Sequence, residues 1–113
     1  MSSLDAPWLP RVHSGRHFDI QGFKRVARIL KRATGLPHCL VLEKLALVCG
    51  YVNYAAAHLA GVRRGYSEPF TTPERFHMRV YRHFDAAALS EFVQDDVEDW
   101  FDLIFCHRLD DLS

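Results

Sequence analysis

Residues 36–60 read LPHCLVLEKLALVCGYVNYAAAHLA, and only two of the residues between positions 39 and 49 are polar. The run is longer than a usual strand and is rich in Leu and Ala, so we predict a helix. Pro37 suits its first turn, and Gly50 suits a left-handed end. A helix that is apolar almost all round belongs in the middle of a fold.

A second short helix is predicted directly after the first. Asn53 is a suitable N-cap, the helix extends to Ala60, and Gly61 ends it. The two helices together predict a tight hairpin over residues 36–60, with Tyr51 at its elbow, around which the other elements pack.

The hairpin resembles a bacterial helical segment with the pattern L-S-H-S, then A-L-E-x-x-A, then L-G-Y-x-N-W-x-x-L. The matching positions are Leu36, His38, Leu42, Glu43, Ala46, Gly50, Tyr51, Asn53 and Tyr54. Such segments are found beside glyoxalase-superfamily domains and in short plasmid- or phage-type proteins. The resemblance implies a local helical fold and an origin in a mobile element, and it transfers no catalytic residue. The chain departs from the pattern at Pro37, Cys39 and Tyr54.

The composition indicates one folded cytoplasmic domain. The chain has 113 residues, of which 49% are hydrophobic, and no apolar run approaches the ~20 residues that span a bilayer. The N-terminal residues MSSLDAPW have neither the basic start nor the apolar core of a secretion signal. Three cysteines without a close pair are typical of reduced thiols. Residues 1–15 show no periodicity and predict an irregular arm.

The formal net charge of zero conceals two halves of opposite sign. Residues 1–66 contain ten Lys/Arg and three Asp/Glu, a net charge of +7, whereas residues 67–113 contain four and eleven, a net charge of −7. Three interpretations follow. The basic half binds nucleic acid, or the acidic half binds a basic protein surface, or the two halves face each other within one chain or between copies.

A basic helix is predicted before the hairpin. It begins after Asp19 as the N-cap and ends at Thr34, with Gly35 as its stop, and Phe18 and Phe23 have the spacing of a hydrophobic staple. Its apolar face lies opposite a set of five cations, which are candidates for phosphate contacts. They are Lys24, Arg25, Arg28, Lys31 and Arg32.

A second set of cations belongs to the fourth predicted helix. This helix starts at Thr71 or Thr72, has Pro73 in its first turn, and shows capping-box spacing between Thr71 and Glu74. Arg75, Arg79 and Arg82 form a row along it. The row either adds to a phosphate- or carboxylate-binding surface or pairs with the acidic helix that follows.

The last predicted helix runs from Ala86 towards Phe105 and is acidic on one side. Five carboxylates form that side: Glu91, Asp95, Glu98, Asp99 and Asp102. A carboxylate at Asp96 falls inside the apolar arc, so the helix bends or restarts near residues 94–96. Phe101 and Phe105 lie beyond the apolar stripe, where they either present an apolar surface to a partner or pack into the core.

No catalytic residue, metal site or cofactor site is predicted. The seven histidines and three cysteines show no zinc-ligand spacing, and the chain has neither a nucleophile elbow nor a glycine-rich phosphate loop. Strands are hard to place anywhere, which excludes the β-rich units that hold glyoxalase metals.

These observations predict an all-α single domain of about five helices. The preferred function is a small non-enzymatic binding protein of a mobile element, such as an antitoxin-like or phage inhibitor (anti-CRISPR-like) factor. Its acidic last helix, with Phe101 and Phe105, would cover a basic surface of a partner protein. The alternative is a nucleic-acid-binding accessory protein that uses the basic faces of the first and fourth helices. A homo-oligomer that joins the two charged halves is the third hypothesis.

Overall fold

Five helices and one short antiparallel ribbon make up residues 16–63 and 71–107, the part of the chain that the computed structural model describes. In chain order they are β1 (Arg16–Phe18), α1 (Ile20–Thr34), α2 (His38–Val48), α3 (Tyr54–Arg63), α4 (Pro73–His83), α5 (Gln94–Ile104) and β2 (Phe105–His107). The predicted all-α class with five helices is therefore confirmed. The predicted arm at residues 1–15 lies outside the described residues.

Helix α1 begins and ends where its capping residues predict. The side chain of Asp19 accepts a hydrogen bond from the Gln21 N–H at 3.1 Å, and Gly35 closes the helix with a left-handed φ of 72°. The rings of Phe18 and Phe23 lie 5.7 Å apart, edge to face, which is the predicted staple contact.

The hairpin of α2 and α3 is also present, and Gly50 forms the predicted left-handed end of α2. Gly50 has a φ of 97°, and the side chain of Asn53 caps α3 by accepting the Ala56 N–H at 2.8 Å. The carboxylate of Glu43, on α2, accepts the Tyr54 N–H at 2.9 Å and ties the two helices together.

The predicted end of α3 at Gly61 is wrong, because the helix continues to Arg63. Gly61 lies inside the helix, where a Cβ atom would come within 2.6 Å of the Cβ of Ile20. The glycine is therefore required by the close approach of α3 to the start of α1, and not by a helix end.

Helix α2 is buried on one side only, so the prediction that it is enclosed all round is wrong. Val41, Leu45 and Val48 are fully buried, but Leu40 and Leu47 are 40% and 38% exposed. The neighbouring helices cover one side of α2, and its other side is part of the molecular surface.

The helices form a ring in which α1 and α4 lie diagonally. Helix α1 packs against α2 and α5, and α4 packs against the same two helices, while α3 covers α1 and α2. The core inside this ring is aromatic and aliphatic, and its largest fully buried side chains are Phe23, Phe76, Leu30, Leu45, Leu89 and Ile104.

Helix α4 starts one residue later than its capping-box spacing predicts. Thr72 is the N-cap, and its hydroxyl accepts the Arg75 N–H at 3.2 Å. Thr71 is buried, and its hydroxyl accepts a hydrogen bond from Arg79 instead.

The predicted start of the last helix at Ala86 is wrong, because α5 begins at Gln94. Residues 86–91 form successive turns that bury Leu89. The restart near residue 94 is confirmed: the backbone of Val93 is extended, and the carboxylate of Asp96 accepts the Val93 N–H at 2.9 Å. The polar Asp96 in the apolar arc is thus an N-terminal capping residue.

The ribbon of β1 and β2 was not predicted, since strands of three residues are too short to show an alternating pattern. Arg16 pairs with His107 and Phe18 with Phe105, and the Asp19 N–H donates to the Ile104 carbonyl at 2.7 Å. The ribbon holds the start of α1 against the end of α5.

Candidate interaction surfaces

The carboxylates of α5 form an exposed row along one helix. We call Asp95, Glu98, Asp99 and Asp102 the acidic row; all four side chains are exposed, as is Glu91 in the preceding turns. Their spacing of three, four and seven residues places them on one side of α5 over about 10 Å. Glu98 also accepts a hydrogen bond from the Gln94 side chain at 3.1 Å.

The two rings predicted beside these carboxylates are not on the surface. Phe101 is 3% exposed and Phe105 is 2% exposed, so the prediction that they present an apolar surface is wrong. Phe101 turns towards α4 and packs edge to face on Phe76, with ring centroids 5.5 Å apart. Phe105 belongs to β2, where helical periodicity no longer applies, and its ring lies beside that of Phe18.

The cations of α1 form a separate surface, which we call the basic face. Arg25, Arg28, Lys31 and Arg32 are exposed, and Lys24 is half-buried. The helix contains no carboxylate, and its apolar residues are buried on the opposite side. The amphipathic pattern predicted for this helix is confirmed.

The arginines of α4 do not act as one row. Arg75 and Arg82 are exposed, but Arg79 is half-buried and donates from Nη1 to the Val48 carbonyl at 3.4 Å and to the Thr71 hydroxyl at 3.1 Å. A cation at this position interacts favourably with the C-terminal end of the α2 dipole. Arg79 is therefore a structural residue.

Lys44 and the neutral histidine His83, which sequence reasoning missed, lie where α4 meets α2. Burial lowers the pKa of His83, and the positive charges of Lys44, Arg82 and Arg79 lower it further. We call Lys44, Arg75, Arg82 and His83 the basic seam. The signal that could have revealed it is Lys44, one of two polar residues between positions 39 and 49.

The two sets of arginines and lysines do not merge into one surface. Since α1 and α4 lie diagonally in the ring, the basic face and the basic seam point in different directions. A single nucleic-acid duplex would contact one of them.

The alternative that the α4 arginines pair with the acidic last helix is not observed. Within residues 16–63 and 71–107, Arg75, Arg79 and Arg82 form no ion pair with a carboxylate of α5. Arg75 and Arg82 are thus exposed and are not used up in contacts with α5.

A shallow cleft of about 220 Å³ separates the beginnings of α4 and α5. Its lining residues are Pro73, Glu74, His77, Gln94 and Glu98. In the described part of the chain, no three His, Cys, Asp or Glu side chains lie close enough to hold a metal ion.

The three cysteines have different environments. Cys39 is exposed, whereas Cys49 is buried, and burial raises the pKa of its thiol far above the usual range although the charge of Arg79 opposes the shift. The Cys106 thiol is half-buried and donates to the Leu103 carbonyl at 3.3 Å. Burial keeps the Cys49 thiol protonated and unreactive.

No described helix combines the length and the apolar character that a membrane span requires. Comparisons with protein-family models, with curated proteins and with solved structures find no match to this chain. The function is therefore inferred from the surfaces themselves, and the resemblance of residues 36–60 to a small bacterial helical module stays a prediction.

Proposed function

We propose that this chain is a non-enzymatic binding protein whose acidic row docks on a basic surface of a partner protein. The observation that supports this function is the exposure of Asp95, Glu98, Asp99 and Asp102 along one side of α5. Carboxylates in fixed positions accept charge-assisted hydrogen bonds from Arg and Lys. The partner is a protein with a cationic surface, such as one that binds nucleic acid, and the row occupies the place of phosphates there.

The burial of Phe101 and Phe105 removes both rings from this contact. Because both rings are buried, the contact rests on the exposed carboxylates of the acidic row, and its recognition is electrostatic. Exposed ion pairs contribute only about 0.2–1 kcal/mol each, and complementary charge mainly raises the association rate. We expect binding that weakens strongly with salt and that needs several carboxylates at once.

The resemblance of residues 36–60 to a module of short plasmid and phage proteins supports a role as an antitoxin-like or inhibitory factor. Such factors act by covering the site of another macromolecule, which fits an exposed anionic row better than it fits a catalytic cleft. The proposal includes a cytoplasmic location, where the partner and reduced cysteines would be found.

The test is capture from nuclease-treated bacterial lysate by the immobilised protein and by two charge-reversed variants. The first variant carries Asp95→Lys, Glu98→Lys, Asp99→Lys and Asp102→Lys. The matched control carries Arg25→Glu, Arg28→Glu, Lys31→Glu and Arg32→Glu on α1, which changes the same number of exposed charges. We expect the first variant to lose the captured protein and the control to retain it. Equal capture by the wild type and the first variant would contradict the proposal.

The second candidate function is nucleic-acid binding, and the basic face of α1 favours it. Arg25, Arg28, Lys31 and Arg32 are exposed on a helix without carboxylates. If these four cations contact phosphates, log K should fall with log salt with a slope of up to roughly −4. Fluorescence anisotropy with labelled duplex DNA and RNA measures this slope. No binding at low salt, or binding unchanged in the α1 variant, would exclude it.

A further inference from the structure

The outer face of α4 has two edges of opposite charge. Arg79 reaches the end of α2, which places the arginine side of α4 next to that helix. Pro73 and His77 line the cleft shared with Glu98, which places the other side of α4 next to α5. The face between these sides belongs to neither contact.

The basic edge of this face is the basic seam. Arg75 and Arg82 lie three to four residues from Arg79 and are exposed on the same side of α4. Lys44 contributes a cation from α2, and Leu40 and Leu47 are exposed on the same helix. The basic edge therefore combines cations with apolar surface.

The acidic edge is the acidic row. Glu98 lines the cleft beside α4, and the opposite side of α5 is occupied by its contact with α1, where Leu103 lies against Gly22. Glu98 is thus the member of the row that lies beside α4, and the row as a whole lies on the exposed side of α5. Between the two edges, Met78 projects from the middle of α4 and is 53% exposed.

We propose that this face binds a second copy of the same chain, with the acidic row of each copy against the basic seam of the other. A two-fold contact brings the same patch of both copies together, so the patch must complement itself. A two-fold axis parallel to α4 places each acidic edge opposite a basic edge. An in-plane axis perpendicular to α4 would place like charges together, which is unfavourable. The two Met78 side chains meet near the axis.

Formation of the dimer covers the acidic row, which is the surface that the proposed function uses. Because the acidic row forms one edge of the dimer, a copy in the dimer cannot offer that row to a basic partner protein. This exclusion rests on the proposed function, whereas the dimer itself does not. Low concentration and moderate salt should release the row, since salt screens the contacts between exposed charges.

The test is a charge exchange, measured by sedimentation velocity at 50 mM NaCl. Variant B carries Arg75→Glu and Arg82→Glu, and variant C carries Asp99→Arg and Asp102→Arg. Wild type should sediment at twice the 13.0 kDa chain mass. Each variant alone should be monomeric, with the dimer dissociation constant raised about 100-fold or more, because like charges then face each other on both edges. An equimolar mixture of B and C should restore the dimer.

Three controls separate this dimer from other assemblies. Met78→Lys should weaken the dimer and Met78→Leu should not, while circular dichroism confirms that both variants fold. The α1 variant Arg25→Glu/Arg28→Glu should dimerise like wild type. A monomeric wild type at hundreds of micromolar, assemblies larger than two, or loss of the dimer in the α1 variant would each overturn the proposal.

The partner experiment distinguishes failure of the dimer from failure of the proposed function. Variant B keeps its acidic row, so it should capture the basic partner at least as well as wild type. Variant C should lose both the dimer and the partner. If B and wild type are monomeric and both capture the partner, the dimer is wrong and the proposed function stands.

Discussion

Where α1 meets α5, backbone lies against backbone, while the outer face of α4 meets nothing in the described fold. A Cβ atom on Gly22 would come within 1.8 Å of the Leu103 carbonyl oxygen, and the ribbon continues the contact to Phe105. On α4, Met78 is more than half exposed, between arginines on one side and the carboxylates of α5 on the other.

The difference separates residues that specify the fold from residues that are available for binding. At the α1–α5 contact, small and aromatic residues are fitted so closely that substitutions should act on stability. On the outer face of α4, the side chains are charged and exposed, so substitutions should act on association. Each of the following changes compares a residue of a closed contact with a matched residue of an open surface.

Gly22→Ala should have the largest effect, because its Cβ would overlap the carbonyl oxygen of Leu103. This oxygen belongs to the backbone of α5, so it can move only if the helix moves with it. We expect a loss of about 3 kcal/mol or more in the free energy of unfolding. Gly35→Ala is the control: a Cβ there meets nothing within 4 Å, and only its left-handed φ is unfavourable, by about 1–2 kcal/mol. Urea denaturation measures both. Equal losses would show that α1 and α5 are not in close contact.

Phe101→Ala should have an effect of similar size, with a loss of about 3–5 kcal/mol in the free energy of unfolding, because the ring is buried against Phe76. Met78→Ala, on the exposed face of α4, should change stability by less than about 0.5 kcal/mol. Thermal and urea unfolding of both variants test the comparison. If the Phe101→Ala protein unfolds at the same urea concentration as wild type, the ring is not buried in the core.

Arg79→Ala should destabilise the fold by about 1–3 kcal/mol, because the Thr71 hydroxyl and the Val48 carbonyl lose a donor in a partly buried place. Arg82→Ala, one turn further along α4, removes an exposed cation and should cost less than about 0.5 kcal/mol. If the two arginines had equal effects on urea unfolding, Arg79 would not be a structural residue.

Asp19→Ala should lower the free energy of unfolding by about 1 kcal/mol, since α1 loses the side chain that accepts the Gln21 N–H. The matched change is Asp99→Ala in the acidic row, which removes an exposed carboxylate from the middle of a helix. Asp99→Ala should leave stability nearly unchanged and reduce salt-sensitive binding. The opposite pattern in urea unfolding and partner capture would contradict both assignments.

The smallest expected effect concerns the pH dependence of His83. Its pKa is lowered in the folded protein by burial and by Lys44, Arg82 and Arg79, so below pH 6.5 the unfolded chain binds the proton more readily. The free energy of unfolding is therefore unaffected by His83 above pH 6.5. It decreases as the pH falls from 6.5 towards the lower pKa of His83 in the folded protein. His83→Gln should reduce this loss between pH 7.5 and 5.5. An unchanged pH profile of unfolding would contradict the shift.

Local chemistry in the sequence was enough to predict most helix ends. Asp19, Gly35, Gly50 and Asn53 act through neighbours a few residues away, and such signals can be read directly from the chain. Gly61 was assigned to a helix end because its reason, the close approach of Ile20, comes from a residue 41 positions away. The ribbon was missed because strands of three residues are too short to show an alternating pattern.

The candidate surfaces were predicted in part. The exposure of the acidic row and of the basic face follows from helical periodicity alone. The roles of Arg79, Lys44 and His83 depend on which helix lies beside α4, and no periodicity contains that information. Phe105 was misplaced because the chain changes from helix to strand at that residue, so its side chain leaves the helical wheel.

The pairing of β1 with β2 also determines how the chain can be cut and rejoined. Because Arg16 lies opposite His107, the backbone enters and leaves the described fold side by side. A short linker between these positions would close the chain into a ring with little loss of chain entropy, and new ends could be opened in the turns at residues 86–91. Fluorescent proteins fused before Arg16 and after His107 would project from the same end of the fold. They would lie close to each other and to the ribbon.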